Sequence, residues 1–575
     1  MIETIFVRLR LLLIGLTLFT GVIVVQLVRI DFGSSNVVYF RDLSDTISQR
    51  PKEFAPARGR VYDRRGELLA TNDLQYELGI SPPNVVNAKD VVTTLSDLLD
   101  KSVTDLLAAA QSDKPYVLIE RPVSAEVGER IKALEASGDV NLSGVDLTPI
   151  RHRYYPGGPL ASQVLGFVAY NTEGRLFGYF GIEGFYNDVL AGRSVNGIER
   201  MVPFDVQPDP TPDEGADLYL TLDRDIQYLV EVTMADAMAR YAAQGGTLIV
   251  MNPKSGAILG MSSWPTYDPN NYLKYPPTDP ENPAISGQYE PGSTFKILTM
   301  AVALDAGVVK PDTTFIDAGF LEVGGVGIRN WNGEAYGPVD MVGCLRFSLN
   351  TCMSDLAVQL GPTTFYNYMS AFGFGHLTNV DLAAEVPGRL KRPGDPDWFD
   401  SDLGTNAFGQ GVAVTPLQLI TAVSAVANGG TMMQPHILSQ VQNGDKVHVI
   451  QPQVLGRPIK PETAAVLSEM LAQSMELGEA DQATVPGYRL AGKTGTAQIP
   501  IAGGYDLDRT IASFIGWGPV DDPRFVVLVI LNRPAASIWG SETAAPVFAE
   551  LVKRLVVLME IPPDDVRHSL IANSR

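Results

Sequence analysis

Glu290-Pro291-Gly292-Ser293-Thr294-Phe295-Lys296 decides the reading, and it runs on into ILTMAVALDAG, residues 297–307. Pro291-Gly292 predicts a turn, and the apolar run behind it predicts a helix that Gly307 ends. Ser293 then stands at or beside the helix start, and Lys296, three residues on, shares its face. A hydroxyl there feels the positive end of the helix dipole, which favours developing negative charge. A lysine in an apolar setting gives up its proton more readily and serves as a base. Together they make an activated serine nucleophile. Taken alone, S-x-x-K is a weak signal that recurs by chance in long chains, and an N-cap serine beside a surface lysine is its ordinary reading.

Two further clusters lie downstream. Ser348-Leu349-Asn350, in RFSLNTCMSD between two helical stretches, places a hydroxyl and an amide two residues apart. Such a pair can share one small site as proton relay and amide-recognising group, although a helix cap is the ordinary reading. Lys493-Thr494-Gly495-Thr496-Ala497 opens a strand-like segment. Its lysine and hydroxyls can hold a carboxylate, and Gly495 would let a substrate backbone approach. The string GYRLAGKT, residues 487–494, also matches the phosphate-loop pattern. That pattern must open a helix, whereas Gly495 and Pro500 break the run here.

The segments around these clusters predict one sheet flanked by helices. DLYLTLD (217–223) alternates as a strand, and a helix follows over 224–243. GTLIVMN (246–252) and AILGMSS (257–263) form a hairpin around PKSG. IASFIGWG (511–518) and RFVVLVILN (524–532) are two more strands, and a helix over 546–560 begins near Pro546. Strands at both ends of a long helical middle give an α/β or α+β plan with one central sheet. Upstream, ARGRVYDRRGELLATND (57–73) reads as strand, turn and strand. Residues 88–138 are mostly helical in pattern. Residues 204–216, FDVQPDPTPDEGA, have a linker composition and mark a domain boundary.

Composition narrows the function classes. The 575 residues carry 44 Lys+Arg against 65 Asp+Glu, a net charge of −21, which gives no global support for nucleic-acid binding. Two cysteines exclude a disulfide scaffold, and five dispersed histidines give little support to a metal site. Leu11 to Val28 is an uncharged 18-residue run preceded by Arg8 and Arg10. It is longer than a signal-peptide core and near the lower limit for spanning a bilayer. An uncleaved anchor with a short cytoplasmic tail and an exported body is expected. Residues 32–56 read as a stalk.

The order S-x-x-K, S-x-N, K-T-G, at intervals of 55 and 145 residues, is far more specific than any one element. With it the chain resembles the class B penicillin-binding proteins, membrane-anchored D,D-transpeptidases of peptidoglycan synthesis. RGRVYDRRGELLATN (58–72), RYYPGGPLASQVLGFV (153–168) and GIEGFYNDVLAG (181–192) resemble the family's amino-domain motifs. LTLDRDIQ (220–227) resembles the start of its catalytic domain, and NAFGQGVAVTPLQLITAVSAVANGG (406–430) a segment preceding K-T-G. In that segment Thr415 would cap a helix, Pro416 would take its first turn and Gly429 would end it.

The resemblance implies a penicillin-binding transpeptidase fold with a central antiparallel sheet and a helical subdomain. An elongated mixed amino-terminal pedestal and one transmembrane helix would complete it. The expected division is an anchor over 1–31, a pedestal over 32–215, a transpeptidase domain over 216–562 and a tail over 563–575. Ser293 would be the acylated nucleophile and Lys296 its general base. Ser348 and Asn350 would relay protons and bind the substrate amide. Lys493, Thr494 and Thr496, with Gly495 between them, would bind the terminal carboxylate. The N–H groups of Ser293 and Thr496 would form the oxyanion hole. No cofactor or metal is implied. The implied substrates are stem peptides ending in D-Ala-D-Ala, with β-lactams as inhibitors. The segment AFGQGVAVTPLQL looks most like the division-specific branch, for which a SEDS-type glycan polymerase and divisome membrane proteins are the expected partners. The alternatives are an elongation-type transpeptidase, a carboxypeptidase, a β-lactam sensor or β-lactamase, and a non-catalytic cell-wall scaffold.

Cys344 and Cys352 flank S-x-N. A continuous helix holds residues eight apart at ~12 Å, too far for a bridge, while a break at S-x-N would bring them together. Two free, largely buried thiols are the expectation.

Overall fold

The computed structural model describes residues 2–32, 49–54, 56–200, 212–478 and 480–573. The chain divides into a small unit, Met1–Ala57 with Gly192–Gly215, and a large one, Arg58–Ala191 with Ala216–Arg575.

In the small unit, helix α1 is Ile2–Phe32, and strand β1 (Gln49–Phe54) pairs antiparallel with a later strand, Val195–Arg200. A strand thus takes the end of the segment read as stalk, while residues 33–48 lie outside the described residues, as does the linker reading through residue 211. Side chains of α1 are described over 11–26, and all are exposed. Among the described residues no helix is long and apolar enough to cross a membrane; the run read from the sequence continues to residue 28.

The large unit opens with β2 (Val61–Tyr62) and β3 (Leu68–Ile80). Asp63 builds the turn between them: its Oδ1 accepts from Arg65 N and Glu67 N, and Gly66 takes φ +87°. The 88–138 stretch holds α2 (Ala88–Leu99), α3 (Val103–Ala110) and α4 (Ala125–Ser137). It also holds a strand the helical reading passed over, β4 (Val117–Val123), which pairs with β3. That strand is short and lacks clean alternation, and only pairing with β3 makes it one. β5 (Val145–Tyr154) lies along β3, β6 is Val195–Arg200, and β7 is Asp217–Leu220. β2 bonds antiparallel to β3 and parallel to β7, so one sheet runs through segments before and after residue 216.

Glu183 is fully buried beneath this sheet. Its carboxylate takes Arg58 Nε on one oxygen and Arg153 Nε on the other, both at 2.6 Å. Arg58 also donates to Asn187 Oδ1, and Arg153 to Gly59 O. Burial pushes the Glu183 carboxyl up, but Arg153 and Arg58 outweigh it and hold it below its usual 4.5. A depressed carboxyl stabilises the fold above its ordinary range and loses that contribution as the pH falls through it. Glu183→Ala leaves two buried cations short of their anion. We expect a loss of about 3–5 kcal/mol, read as a lowered melting temperature at neutral pH.

The second sheet holds the K-T-G segment. After α5 (Arg224–Tyr241), capped by Asp223, come β8 (Gly245–Met251) and β9 (Ile258–Trp264). Much later come β10 (Ala491–Ile501), β11 (Gly504–Gly518) and β12 (Phe525–Asn532). The order is β9-β8-β12-β11-β10, all antiparallel. β12 shows why so apolar a run is a strand: Val527, Val529 and Leu531 enter one core, and Val526, Leu528 and Ile530 the other. On the first face lie α5 and a helix Ala544–Leu558; on the second lie helices Lys296–Asp305 and Pro416–Ala427. The predicted cap of the last is present, with Gln418 N donating to Thr415 Oγ1 and Thr415 N to Gln418 Oε1.

Candidate active site

Ser293 sits in a single tight turn, Gly292–Phe295, that leads directly into the helix Lys296–Asp305. Gly292 takes φ +58°, and a Cβ there would stand 3.2 Å from Ala497 Cα, so β10 presses directly on the serine turn. Lys296 is completely buried. Its Nζ donates to Ser348 O at 2.6 Å, to Asn350 Oδ1 at 2.7 Å and to Ser348 Oγ at 3.1 Å. Ser348 Oγ in turn meets Ser293 Oγ at 3.1 Å. The first two clusters, 55 residues apart, therefore form one chain of polar groups. Asn350 Nδ2 is held by Arg329 O at 2.9 Å.

Ser348 takes φ +53° between the helices Met341–Arg346 and Asn350–Ala371. The left-handed region is strained for a serine and recurs at functional sites. The same break corrects the expectation of free thiols: Cys344 and Cys352 form a disulfide, with Cα atoms 6.1 Å apart. The ~12 Å separation holds only for an unbroken helix, and the chain reverses at Ser348.

Lys493, Thr494, Gly495 and Thr496 lie on β10 rather than at a helix start, which removes the phosphate-loop reading. Lys493 is buried, with Nζ 3.4 Å from Thr494 Oγ1. Thr496 Oγ1 accepts from Gly540 N at 3.0 Å. Gly495 serves packing: a Cβ there would stand 2.3 Å from Ser513 Oγ and 2.9 Å from Thr294 Cγ2. The atoms that require a glycine are therefore the protein's own, from β11 and the serine turn.

Ser293, Asn350 and Thr496 line one groove of about 570 Å³. Two tryptophans that the sequence reading did not single out line it as well. Trp331 and Trp539 meet edge to face with centroids 5.1 Å apart, and Trp331 Nε1 donates to Phe347 O, next to Ser348. Behind them Asp317 accepts from Thr351 Oγ1 and Asn330 Nδ2, both at 2.8 Å, bracing the start of the Asn350 helix. These residues fit no motif, and no sequence pattern marks them.

The description "Penicillin binding protein transpeptidase domain" matches residues 246–553, and "Penicillin-binding Protein dimerisation domain" matches 53–202. The chain is 33% identical over 584 residues to stage V sporulation protein D of Bacillus subtilis, covering 98% of this chain and 88% of that one. The chain belongs to the class B penicillin-binding proteins. Another relative of this penicillin-binding protein is the peptidoglycan D,D-transpeptidase FtsI of Escherichia coli, 28% identical over 90% of this chain and 87% of that one. A solved peptidoglycan synthetase of Bifidobacterium adolescentis superposes with a TM-score of 0.70 at 27% identity, covering 90% and 98% of the two chains. Penicillin-binding protein 3 of Mycobacterium tuberculosis, solved with aztreonam, gives 0.68 at 25%, over 89% and 98%. The large unit is thus a penicillin-binding transpeptidase fold of mixed α/β content.

Proposed function

We propose that this chain is a peptidoglycan D,D-transpeptidase that works through an acyl-enzyme on Ser293. The observation that carries the reading is the line Lys296–Ser348–Ser293, at 3.1 Å per step, opening on the groove that Thr496 shares. A neutral lysine has two N–H bonds and one lone pair. Ser348 O and Asn350 Oδ1 can only accept and suit the two N–H bonds, leaving the lone pair for the Ser348 hydroxyl. Each hydroxyl both donates and accepts, so a proton can pass from Ser293 through Ser348 to Lys296.

In the first step Ser293 Oγ bonds to the penultimate D-alanine carbonyl, and its proton passes to Lys296. The N–H groups of Ser293 and Thr496 stabilise the oxyanion, and Lys493, Thr494 and Thr496 hold the terminal carboxylate. The C–N bond then breaks, and the departing D-alanine amine takes the stored proton. In the second step an amine of a neighbouring stem attacks the ester, forms the cross-link and returns a proton to Ser293. A β-lactam enters the first step and stops there. The test is incubation with a pentapeptide stem ending in D-Ala-D-Ala plus an amine acceptor stem. The expected products are free D-alanine and a cross-linked dimer, read by mass spectrometry. D-Alanine with hydrolysed stem alone would replace this reading with a carboxypeptidase, and no D-alanine would refute it.

The finer reading is a septal enzyme held in the membrane by residues 11–28, with a pedestal over 32–215, a transpeptidase domain over 216–562 and an extracytoplasmic catalytic groove. Leu12, Leu16, Phe19 and Val22 of α1 are each more than 60% exposed, and a bilayer would remove that apolar surface from water. A SEDS-type polymerase and divisome membrane proteins are the partners of this reading. Midcell placement of a tagged full-length copy supports the septal role, and lateral-wall placement overturns it.

A further inference from the structure

Glu290 opens the serine turn, yet the steps above do not use it. Its Oε1 accepts from Gly411 N at 3.0 Å and from the Tyr505 hydroxyl at 3.4 Å. Its Oε2 is buried and has no hydrogen-bond partner among the described residues. These bonds join three segments around the groove: the serine turn, the glycine turn 409–411 and the β10–β11 hairpin end. The glycine turn is tightly set against the serine turn. Gly292 N donates to Gly409 O at 3.1 Å, and a Cβ on Gly409 would stand 2.4 Å from Gly292 O. Gln410 in that turn and Tyr505 line the groove with Ser293.

The ionisable groups near Glu290 leave a negative charge poorly compensated. Tyr505 faces it from β11, and Lys391 from the loop that precedes the helix Asp400–Asn406. Lys391 Nζ is already held by Asp402 Oδ1 at 2.8 Å, and Asp402 itself acts on Tyr505. Burial pushes the Glu290 carboxyl up, and the Gly411 N–H, Tyr505 and Lys391 oppose it without cancelling it.

We propose that Glu290 is a positioning residue that clamps the glycine turn 409–411 and Tyr505 to the serine turn and so holds the groove wall beside Ser293. Both bonds are accepted by Oε1. A glutamine has the same shape and presents a carbonyl oxygen to the same two donors.

The inference rests on Ser293 being the residue that is acylated. The test measures acylation rates of the full chain with a labelled penicillin between pH 6 and 9, for wild type, Glu290→Gln, Glu290→Ala and Tyr505→Phe. Glu290→Gln is expected within about twofold of wild type throughout. Glu290→Ala is expected at least ~10-fold slower throughout, as small misplacements at a reacting centre are, with Tyr505→Phe between the two. Thermal melts separate misplacement from unfolding, and the isosteric glutamine keeps the comparison valid if the alanine variant does not fold. Glu290→Gln as slow as alanine, or a fully active alanine variant, would overturn the role. Those results leave the nucleophile standing, whereas a wild type unlabelled at Ser293 overturns both readings.

Discussion

Ser293→Ala is expected to lose covalent penicillin labelling completely and to lower transpeptidation on the order of 10⁶-fold, as when a serine hydrolase loses its nucleophile. The hydroxyl is half-buried and makes one 3.1 Å contact with Ser348 Oγ. Removing it costs about 0.5–1.5 kcal/mol of stability, so the variant should fold and melt close to wild type. Loss of label in a folded protein therefore reports on chemistry. Peptide mass mapping should find the adduct on the peptide containing Ser293 in wild type and on none in the variant. An adduct that survives Ser293→Ala would remove Ser293 from the mechanism.

Lys296→Met should slow acylation by about 10²–10⁴-fold, the usual contribution of a positioned base. Methionine keeps the apolar stem in a fully buried slot and removes the amine. The Ser348 carbonyl and Asn350 Oδ1 then lose their donor, which costs about 1–3 kcal/mol when a buried acceptor is left unmade. The second-order rate constant for penicillin acylation measures the catalytic effect, and a thermal melt measures the structural one. A rate within a few-fold of wild type, in a protein melting a few degrees lower, would make Lys296 a structural residue and assign the proton to another group.

Much of the catalytic sheet was legible because local pattern and tertiary role agree there. The GTLIVMN–AILGMSS hairpin and the strand RFVVLVILN occupy their predicted places within two residues. β11 begins earlier than expected, at Gly504, because its polar start lies beside the hairpin turn, where Gly504, Tyr505 and Asp506 pair with the end of β10. β4 was hidden in a helical stretch because its short run carries no period of its own. At the site, Ser293, Lys296, Ser348, Asn350 and the K-T-G residues were readable as motifs. Trp331, Trp539, Asp317 and Glu290 have no fixed spacing to any of them and become neighbours only through folding.

The sequence by itself determined which groups are the candidates for the chemistry: a serine and a lysine one helical turn apart, a hydroxyl–amide pair and a lysine–threonine strand, in a fixed order. It also determined the two-sided apolar strand on which the catalytic sheet is built. The tertiary structure alone decided how those groups meet. Lys296 contacts Ser348 and Asn350 because the chain reverses in a left-handed turn at Ser348, the same reversal that joins Cys344 to Cys352. Helical periodicity can be read within a single segment. A reversal of this kind depends on what packs against it from fifty residues away, and that information is not local.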